Sequence, residues 1–343
     1  MESNSDDTID SQKKCLVFSC WACKTITSKE PDDFFFKPKL GWANRKLSMA
    51  ETNENKIRRL GIWHGPITIE PLQGGVSNIG FKVTDTKGAY VVRLGHDYPF
   101  HQVSRAREAI AARAAFQANL SPEVVHTEEG IVVLRFIAAK TYTEADVRRN
   151  WPACVDIVKR CHLTMPGRIL GQGAIFWVFQ IIRDYGATLV AKNHARAGEV
   201  RRWLDIVDRL EAQQVPLPII FGHHDLLPAN FLDDGKRLWL IDWEYGAFGT
   251  AMFDLANIAA ANSFDEVLEA QMLEHYFEHN PSEALTRAFS AMKVAAALRE
   301  AIWGMISELF LSAPSVDYVA YAAEFLGRFE TILKSHESRY GKS

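Results

Sequence analysis

The sequence predicts an α+β fold with two lobes: a small β-rich N-terminal lobe with one inserted helix, and a larger, mostly helical C-terminal lobe. Short apolar runs separated by glycine turns occupy residues 67–95, a pattern typical of antiparallel strands. Beyond Ala138 the apolar residues recur at helical spacing instead. These patterns place the lobes at residues 55–137 and 138–335, and a cleft between two lobes is a usual position for a ligand site.

The composition is that of a globular protein. Of the 343 residues 48% are apolar and 11% are aromatic, enough for a substantial core. The net charge is −3, and lysine and arginine are spread along the chain rather than gathered in a basic tail or a polybasic patch. We therefore expect a cytoplasmic protein with a small-molecule partner, no nucleic-acid partner and no membrane partner. The sequence predicts no oligomeric state.

Residues 1–54 are polar and irregular, and we expect them to form a poorly structured leader. Met49 stands directly before a sequence that resembles an ordinary bacterial start. The first 48 residues are therefore expected to lie outside the fold. A translation start assigned upstream of the true one, at Met49, would explain them. The apolar run at residues 16–22 is too short to span a bilayer, and the acidic start argues against a signal peptide.

The cysteines do not suggest a disulfide framework, because they are odd in number and irregularly spaced. One pair has CxxC spacing, but zinc would need two further ligands and no second pair exists. A metal or redox role is therefore not expected. The cysteines are Cys15, Cys20, Cys23, Cys154 and Cys161.

The N-terminal lobe begins with three predicted strands between Ile67 and Gly95, with turns at Gly74-Gly75 and Lys87-Gly88. An Ala-rich segment with helical spacing then predicts the inserted helix, from Ser104 as N-cap to Leu120.

The apolar run at residues 130–137 predicts one more strand of this lobe. The C-terminal lobe is predicted to be helical except in the segment at residues 221–245, which has a strand-like pattern. The predicted helical stretches are residues 144–164, 174–192, 196–213, 264–278 and 281–312.

The segment FGHHDLLPANFLDDGKRLWLIDWEY, residues 221–245, contains a predicted hairpin. Its Asp234-Gly235 pair is a strong turn signal between two apolar runs. Folding the hairpin brings Asn230 and Asp242 to the same open end, and Asp225 lies just upstream in an irregular loop. Two carboxylates and an amide are therefore expected to converge.

These three side chains offer only oxygen ligands, as Mg²⁺ prefers when phosphate oxygens bind it too. Phosphoryl transfer uses such a set: one carboxylate orients or deprotonates the attacking hydroxyl, while an amide and a second carboxylate hold the metal. The alternative is an acidic surface hairpin, which explains Asp233 and Asp234 well. It does not explain Asp242, which follows an apolar run, where a buried charge is costly unless it is paired or bound to metal.

The small lobe offers candidate phosphate-binding residues. The loop LQGGVSN contains Gly74, Gly75, Ser77 and Asn78, and its glycines allow close backbone approach, although an ordinary turn is an equal alternative. Arg93 ends a strand, and Glu108 lies in the first turns of the next helix. A strand cation paired with a helix carboxylate suits binding of the α and β phosphates, and arginine can bind phosphate with two N–H groups. An ordinary surface pair is the alternative.

The motifs GHHDLLPANFL and IDWEYGAFGTAMFDLAN closely resemble the choline/ethanolamine kinase family, within the wider aminoglycoside-phosphotransferase superfamily. The spacing of the polar residues in the first motif also resembles the catalytic and metal loops of the protein-kinase-like fold. The resemblance spans about residues 60–330 and includes the Gly-Gly loop and the strand arginine. Neither Asp-Phe-Gly nor Ala-Pro-Glu follows the hairpin, so protein substrates are not expected.

The resemblance implies an ATP-dependent kinase that uses Mg²⁺. It makes Asp225 the catalytic base and makes Asn230 and Asp242 the magnesium ligands. His223, in the same catalytic loop, would brace that loop. Asp254 would tie the loop as well, although a simple helix-start residue is an equal alternative.

The resemblance also implies a small amino alcohol as substrate: choline, ethanolamine or a methylated ethanolamine. Glu244 and Tyr245 would approach its amine. Trp243, Tyr245, Trp177 and Trp303 are candidates for an aromatic cage around the ammonium group. Core packing explains Trp177 and Trp303 at least as well.

Glu300 lies three residues before Trp303, on the same helical face. Many choline kinases resemble one another in carrying Trp-x-x-Trp here, so a carboxylate replaces the first ring. A trimethylammonium group cannot donate N–H hydrogen bonds, whereas a primary ammonium can donate to Glu300. We therefore predict a shift toward ethanolamine or a related less-methylated amino alcohol relative to choline. The alternative is that Glu300 pairs with a cation near Arg299 or with a lysine.

Two other functions stay open on the sequence alone. One is a different metabolite kinase of the same superfamily, acting on an aminoglycoside or thiamine. The other is a nucleotide-binding pseudokinase, although the complete set of Asp225, Asn230 and Asp242 counts against it.

Overall fold

A computed structural model describes residues 52–72, 79–312 and 316–342 of the chain. The predicted α+β architecture is confirmed, with a small antiparallel sheet in the N-terminal part and mainly helices in the C-terminal part. Residues 1–51 of the predicted leader, with Cys15, Cys20 and Cys23, lie outside the described residues.

The strands of the N-terminal lobe are β1 (Thr68–Leu72), β2 (Ile79–Asp85), β3 (Gly88–Leu94), β4 (Val124–Glu128) and β5 (Ile131–Arg135). They form one antiparallel sheet in the order β1-β2-β3-β5-β4. Four of them were predicted. The sequence analysis missed β4, whose five residues are all half-buried and show no alternation.

Strand β3 shows how the sheet orients the site. Tyr90, Val92 and Leu94 are buried in the small core of the sheet, while the residues between them are half-buried. Because side chains alternate along a strand, Arg93 points to the opposite face. That face is directed toward the C-terminal lobe.

Two helices accompany the sheet. The first, α1 (Asn53–Arg58), begins at the last two residues of the predicted leader. The second, α2 (Arg105–Gln117), is the predicted inserted helix. Ser104 holds its N-cap position without a side-chain cap bond. Instead Asp97 accepts the backbone N–H of Arg105 at 2.7 Å.

The C-terminal lobe contains the remaining described helices. The predicted helix at 144–164 is interrupted at Asn150, and a proline stands at the start of the second piece, where its ring is compatible with a helix. The sequence analysis missed α7 and α10, and α10 packs along α9. The helices are α3 (Glu144–Arg149), α4 (Trp151–Thr164), α5 (Val178–Ala191), α6 (Val200–Glu211), α7 (Ala251–Ala261), α8 (Glu266–Phe277), α9 (Glu283–Phe310) and α10 (Tyr318–Tyr340).

The short strands of this lobe carry the site. They are β6 (Lys140–Thr141), β7 (Ile219–Gly222), β8 (Phe231–Asp233), β9 (Leu238–Leu240) and β10 (Ala247–Thr250). The predicted hairpin is formed by β8 and β9, and Gly235 in its turn has a φ of +81°. Asp233 and Asp234 accept backbone N–H groups of this turn, so they serve the turn itself. Strand β7 pairs with β10, which brings the loop after β7 beside the segment that leads into β10.

Helix α9 forms the centre of the C-terminal core. It spans 28 residues, and its middle third is buried almost all round. Its alanines, from Ala291 to Ala301, allow α7 and α10 to pack closely against it. Within the described residues, no helix combines the length and apolar character needed to cross a membrane.

Candidate active site

Asp254 anchors the loop that follows β7. Its carboxylate, fully buried in the first turn of α7, accepts the N–H groups of His223 at 2.8 Å and His224 at 2.7 Å. His162 Nε2 lies 2.8 Å from the same carboxylate. Burial raises the pKa of Asp254, but the nearby His224 and His162 hold this pKa below its usual range. Asp254 therefore ties the loop, the first of its two predicted roles.

His223 connects the loop to the end of the hairpin. Its buried imidazole donates from Nε2 to the carbonyl oxygen of Ile241 at 2.9 Å. Burial lowers the pKa of His223, so the ring stays neutral. The side chain thus links the loop that carries Asp225 to the end of the hairpin, as expected of a residue that braces this loop.

His224 is a structural residue that the sequence analysis did not single out. Its fully buried ring stacks on Phe176 at a centroid distance of 4.3 Å, and its Nδ1 lies 3.2 Å from the carbonyl oxygen of Tyr245. A Cβ on Gly222 would lie 2.5 Å from His224 Nε2, so only glycine fits there. The adjacent pair His223-His224 was the feature of the sequence that could have indicated this structural role.

Asp225 and Asn230 are in direct contact. Asn230 Nδ2 donates to the carbonyl oxygen of Asp225 at 2.7 Å and to its Oδ2 at 3.0 Å. The carbonyl oxygen of Asn230 accepts the N–H of Ile241 at 3.1 Å, which places Asp242 next along the chain. The three side chains of the predicted oxygen site therefore lie at the open end of the hairpin.

Asp225 also lies among further charges. Burial raises the pKa of Asp225 well above its usual value, and the carboxylates of Glu300 and Asp242 raise it further. Arg299 acts in the opposite direction. The carboxylate of Asp225 is therefore within electrostatic range of α9.

Asp242 is held in an unusual backbone conformation by Arg93. Its φ is +70°, a left-handed value that costs a non-glycine residue about 1–3 kcal/mol. Arg93 Nη2 lies 2.7 Å from Asp242 Oδ1, and Arg93 Nη1 lies 3.1 Å from Glu108 Oε1. The predicted pairing of Arg93 with Glu108 is thus present, and it extends to Asp242.

Arg105, the first residue of α2, extends this network. Its Nη1 lies 2.6 Å from Glu108 Oε2 and 2.9 Å from Glu244 Oε2. Glu244 is buried, and this ion pair engages the carboxylate that the sequence analysis directed toward the substrate amine. The sequence analysis missed Arg105 because an arginine at a helix start looks like an ordinary surface residue.

Two aromatic residues predicted to contact the substrate meet each other. Trp303 Nε1 donates to the Tyr245 hydroxyl at 2.8 Å. The Trp303 ring stacks on His101 at 5.0 Å and meets Tyr321 edge-on at 5.6 Å. These rings form an aromatic wall beside α9.

Glu300 is buried and paired. Arg299 Nη1 lies 2.8 Å from Glu300 Oε2, and the Tyr321 hydroxyl donates to Glu300 Oε1. The first alternative for Glu300, a nearby cation partner, is therefore present, and that partner is Arg299 itself.

Two predicted cage residues make contacts within the protein. Trp243 is 2% exposed, and its Nε1 faces Ser121 Oγ at 3.2 Å, so the ring is part of the core. Trp177 Nε1 donates to Glu211 Oε1 at 2.5 Å, and its ring packs against Phe179 at 5.2 Å. Trp177 therefore contacts α6, in agreement with its core-packing alternative. A place for either ring in an ammonium cage stays a prediction.

A sequence model for the APH phosphotransferase enzyme family matches residues 68–289, more than half of the chain. The chain belongs to this family. The predicted phosphotransferase activity and the resemblance to choline/ethanolamine kinases are thereby confirmed.

Named relatives of this phosphotransferase include an Arabidopsis thaliana protein called "Probable ethanolamine kinase", 24% identical over 74% of this chain and 76% of that protein. A solved choline/ethanolamine kinase family protein from Mesorhizobium loti is 28% identical, with a TM-score of 0.63 over 82% of this chain and 94% of that one. The solved choline kinase LicA from Streptococcus pneumoniae is 22% identical, with a TM-score of 0.65 over 79% of this chain and 93% of that one. This last likeness shows the fold.

The donor set of the phosphotransferase fits Mg²⁺. Asn230 directs its Nδ2 toward Asp225, so its Oδ1 is the atom that can bind a cation. Asp242 adds a carboxylate whose side chain is 28% exposed. Among the described residues no group of three or more His, Cys, Asp or Glu side chains is arranged for a metal. The predicted phosphate loop with Gly74, Gly75, Ser77 and Asn78 lies outside the described residues.

Proposed function

We propose that this phosphotransferase transfers the γ-phosphoryl group of ATP to the hydroxyl group of a small amino alcohol, such as choline, ethanolamine or a methylated ethanolamine. The observation that carries the proposal is the contact of Asn230 with Asp225 at the hairpin end that also holds Asp242. This arrangement supports phosphoryl transfer, because it combines a candidate base with two oxygen ligands for a metal.

Asp225 is the proposed general base. It accepts the proton of the substrate hydroxyl as that oxygen attacks the γ-phosphorus, while the bond to the bridging oxygen of ADP breaks. Burial raises the pKa of Asp225, which brings its basicity closer to that of an effective base near neutral pH. The contact with Asn230 at 3.0 Å orients the carboxylate for this role.

Asn230 and Asp242 would hold Mg²⁺, which when bound neutralises charge on the β and γ phosphates. Arg93, oriented by Glu108, would bind the α and β phosphates. Gly74, Gly75, Ser77 and Asn78 would lie over them. A solved LicA contains AMP and a solved spectinomycin phosphotransferase contains ADP, which supports a nucleotide in the same place here.

In this proposal, residues 55–137 form the nucleotide-binding lobe, and residues 138–335 form the catalytic and substrate-binding lobe. Tyr245 and Trp303 form an aromatic wall for the substrate ammonium group. Glu300 and Glu244 would supply negative charge to it. The relatives named as choline and ethanolamine kinases support this substrate class.

The test is a panel of acceptors incubated with Mg²⁺-ATP and the purified protein. The panel contains choline, ethanolamine, their partly methylated relatives, an aminoglycoside and thiamine. We expect ADP release that depends on an amino alcohol, with the phosphorylated product identified by mass. Transfer to the aminoglycoside or thiamine alone would contradict the proposed substrate, and ATP binding without transfer to any acceptor would indicate a pseudokinase.

A further inference from the structure

Arg299 is a buried cation on α9 beside the proposed substrate pocket. It is 2% exposed, and its Nη1 lies 2.8 Å from Oε2 of Glu300. Its guanidinium lies over the ring of Tyr245, 4.6 Å from the centroid. The protein thus places its own cation against one face of the Tyr245 ring.

One edge of this guanidinium has no partner in the described part of the chain. Nε and Nη2 of Arg299 are buried and make no hydrogen bond there. These two nitrogens form the same edge of the planar group and present two parallel N–H donors. Arginine keeps its charge in proteins, so the edge needs an acceptor to offset the cost of burial. The geometry matches a carboxylate bound through both of its oxygens.

The surroundings of this edge favour a ligand with two charges. Arg299 lines a cavity together with His101, Tyr185, Glu244 and Tyr245. The neighbouring Glu300 carboxylate accepts from Arg299 and Tyr321, and a carboxylate has lone pairs for a further donor. One anionic and one cationic group therefore stand side by side on α9, and the cationic one lines this cavity.

We infer, as an extension of the proposed function, that Arg299 binds a carboxylate of the substrate, so that the acceptor is an amino alcohol that also carries a carboxylate, a hydroxy amino acid. The substrate hydroxyl lies at Asp225, its ammonium group at Glu300 and its carboxylate on the Nε–Nη2 edge of Arg299. An amino alcohol without the carboxylate brings only positive charge to a pocket that already holds Arg299.

The competing explanation is purely structural. The cavity beside Arg299 has a volume of about 20 Å³, enough for one water molecule that would satisfy the guanidinium. Arg299 would then serve only as the counter-ion of Glu300. In that case a carboxylate on the substrate would gain nothing.

The test compares matched acceptors that differ only in the carboxylate, with Mg²⁺-ATP and the full chain. The pairs are L-serine with ethanolamine and L-homoserine with 3-aminopropanol, and L-serine methyl ester keeps the ammonium group while masking the anionic charge. We expect kcat/KM to favour the carboxylate in at least one pair by about tenfold or more, and serine or homoserine to outperform choline. In Arg299→Gln we expect the ratio of kcat/KM with the carboxylate to kcat/KM without it to fall toward one, mainly because KM for the amino acid rises. Arg299→Lys should retain part of the preference.

Arg202→Gln is the control, because Arg202 pairs with Glu330 at the surface. It should leave the preference unchanged. If Arg299→Gln does not fold, the wild-type comparison decides alone. Wild type that prefers ethanolamine or choline over both amino acids overturns the inference and leaves the proposed function standing. Failure of every amino alcohol, with or without a carboxylate, to accept the phosphoryl group overturns both.

Discussion

Arg93 Nη2 lies 2.7 Å from Asp242 Oδ1, so the cation proposed to bind phosphates is paired with the carboxylate proposed to bind metal. Both charges are partly buried, and Glu108 completes the network from α2. In the proposed function, nucleotide binding would exchange this ion pair for contacts of Arg93 to phosphate and of Asp242 to metal.

Arg93→Lys tests that exchange. Lysine is a point charge and cannot contact Glu108, Asp242 and phosphate oxygens as the arginine fork can. We expect KM for ATP to rise about tenfold, with a much smaller change in KM for the acceptor. Arg202→Lys, at an exposed pair, should leave both constants unchanged. An unaltered KM for ATP in Arg93→Lys would exclude a phosphate contact.

Asp225→Asn should remove most of the turnover and preserve the fold. The amide has almost the same shape but cannot accept the hydroxyl proton, so we expect kcat to fall by about 10²–10⁴-fold. The dissociation constant of Mg²⁺-ATP, measured by calorimetry, should change little. Full turnover in the purified variant would refute Asp225 as the base.

Asp242→Ala should weaken Mg²⁺-ATP binding as well as turnover. It removes an oxygen ligand and also leaves Arg93 with one carboxylate fewer. Titration of ATP at several Mg²⁺ concentrations should show a raised Mg²⁺ requirement. Asp205→Ala, at an exposed carboxylate of α6, is the matched control. Equal Mg²⁺ requirements in the two variants would contradict the assigned metal ligand.

Asp254→Asn should destabilise the protein, because His223, His224 and His162 lose a buried anionic partner. A buried hydrogen bond to a charged group contributes about 1.5–3 kcal/mol, and the carboxylate of Asp254 accepts several of them. The neighbouring histidines hold the pKa of Asp254 below its unfolded value despite burial. Its contribution is therefore complete above about pH 4–5 and is lost as pH falls further.

Melting curves of wild type and Asp254→Asn between pH 7 and pH 3 measure this effect. We expect a lower Tm for the variant at pH 7 and a difference that shrinks below about pH 4. A difference that grows on acidification would show that Asp254 is not ionised in the folded protein.

Glu300→Gln should reduce the preference for a primary over a trimethylated ammonium group. Glutamine keeps the size of the side chain but removes the charge-assisted acceptor for N–H donors. The measurement is the ratio of kcat/KM for ethanolamine to that for choline, in wild type and variant. A Tm control is needed, because Arg299 loses its ion-pair partner. An unchanged ratio in a folded variant would show that Glu300 does not contact the amine.

Short-range patterns were sufficient for much of the fold. The turn at Lys87-Gly88, the alternation of β3 and the Asp-Gly hairpin signal each depend on neighbours along the chain, and the structure contains all three features. Strand β4 and helix α10 were missed. Both owe their form to packing against another element, β5 for the strand and α9 for the helix.

The sequence by itself determined that Asp225, Asn230 and Asp242 converge, because a hairpin and the short loop before it leave little freedom for their placement. It could not determine which charges pair across elements. The pairing of Arg105 with Glu244, and the contacts of Asp254 with the loop histidines, were decided by tertiary structure. The same holds for the rings, since Trp243 in the core and Trp303 on Tyr245 are equally apolar in sequence. Burial and pairing depend on residues far apart in the chain, and only the packed lobes bring them together.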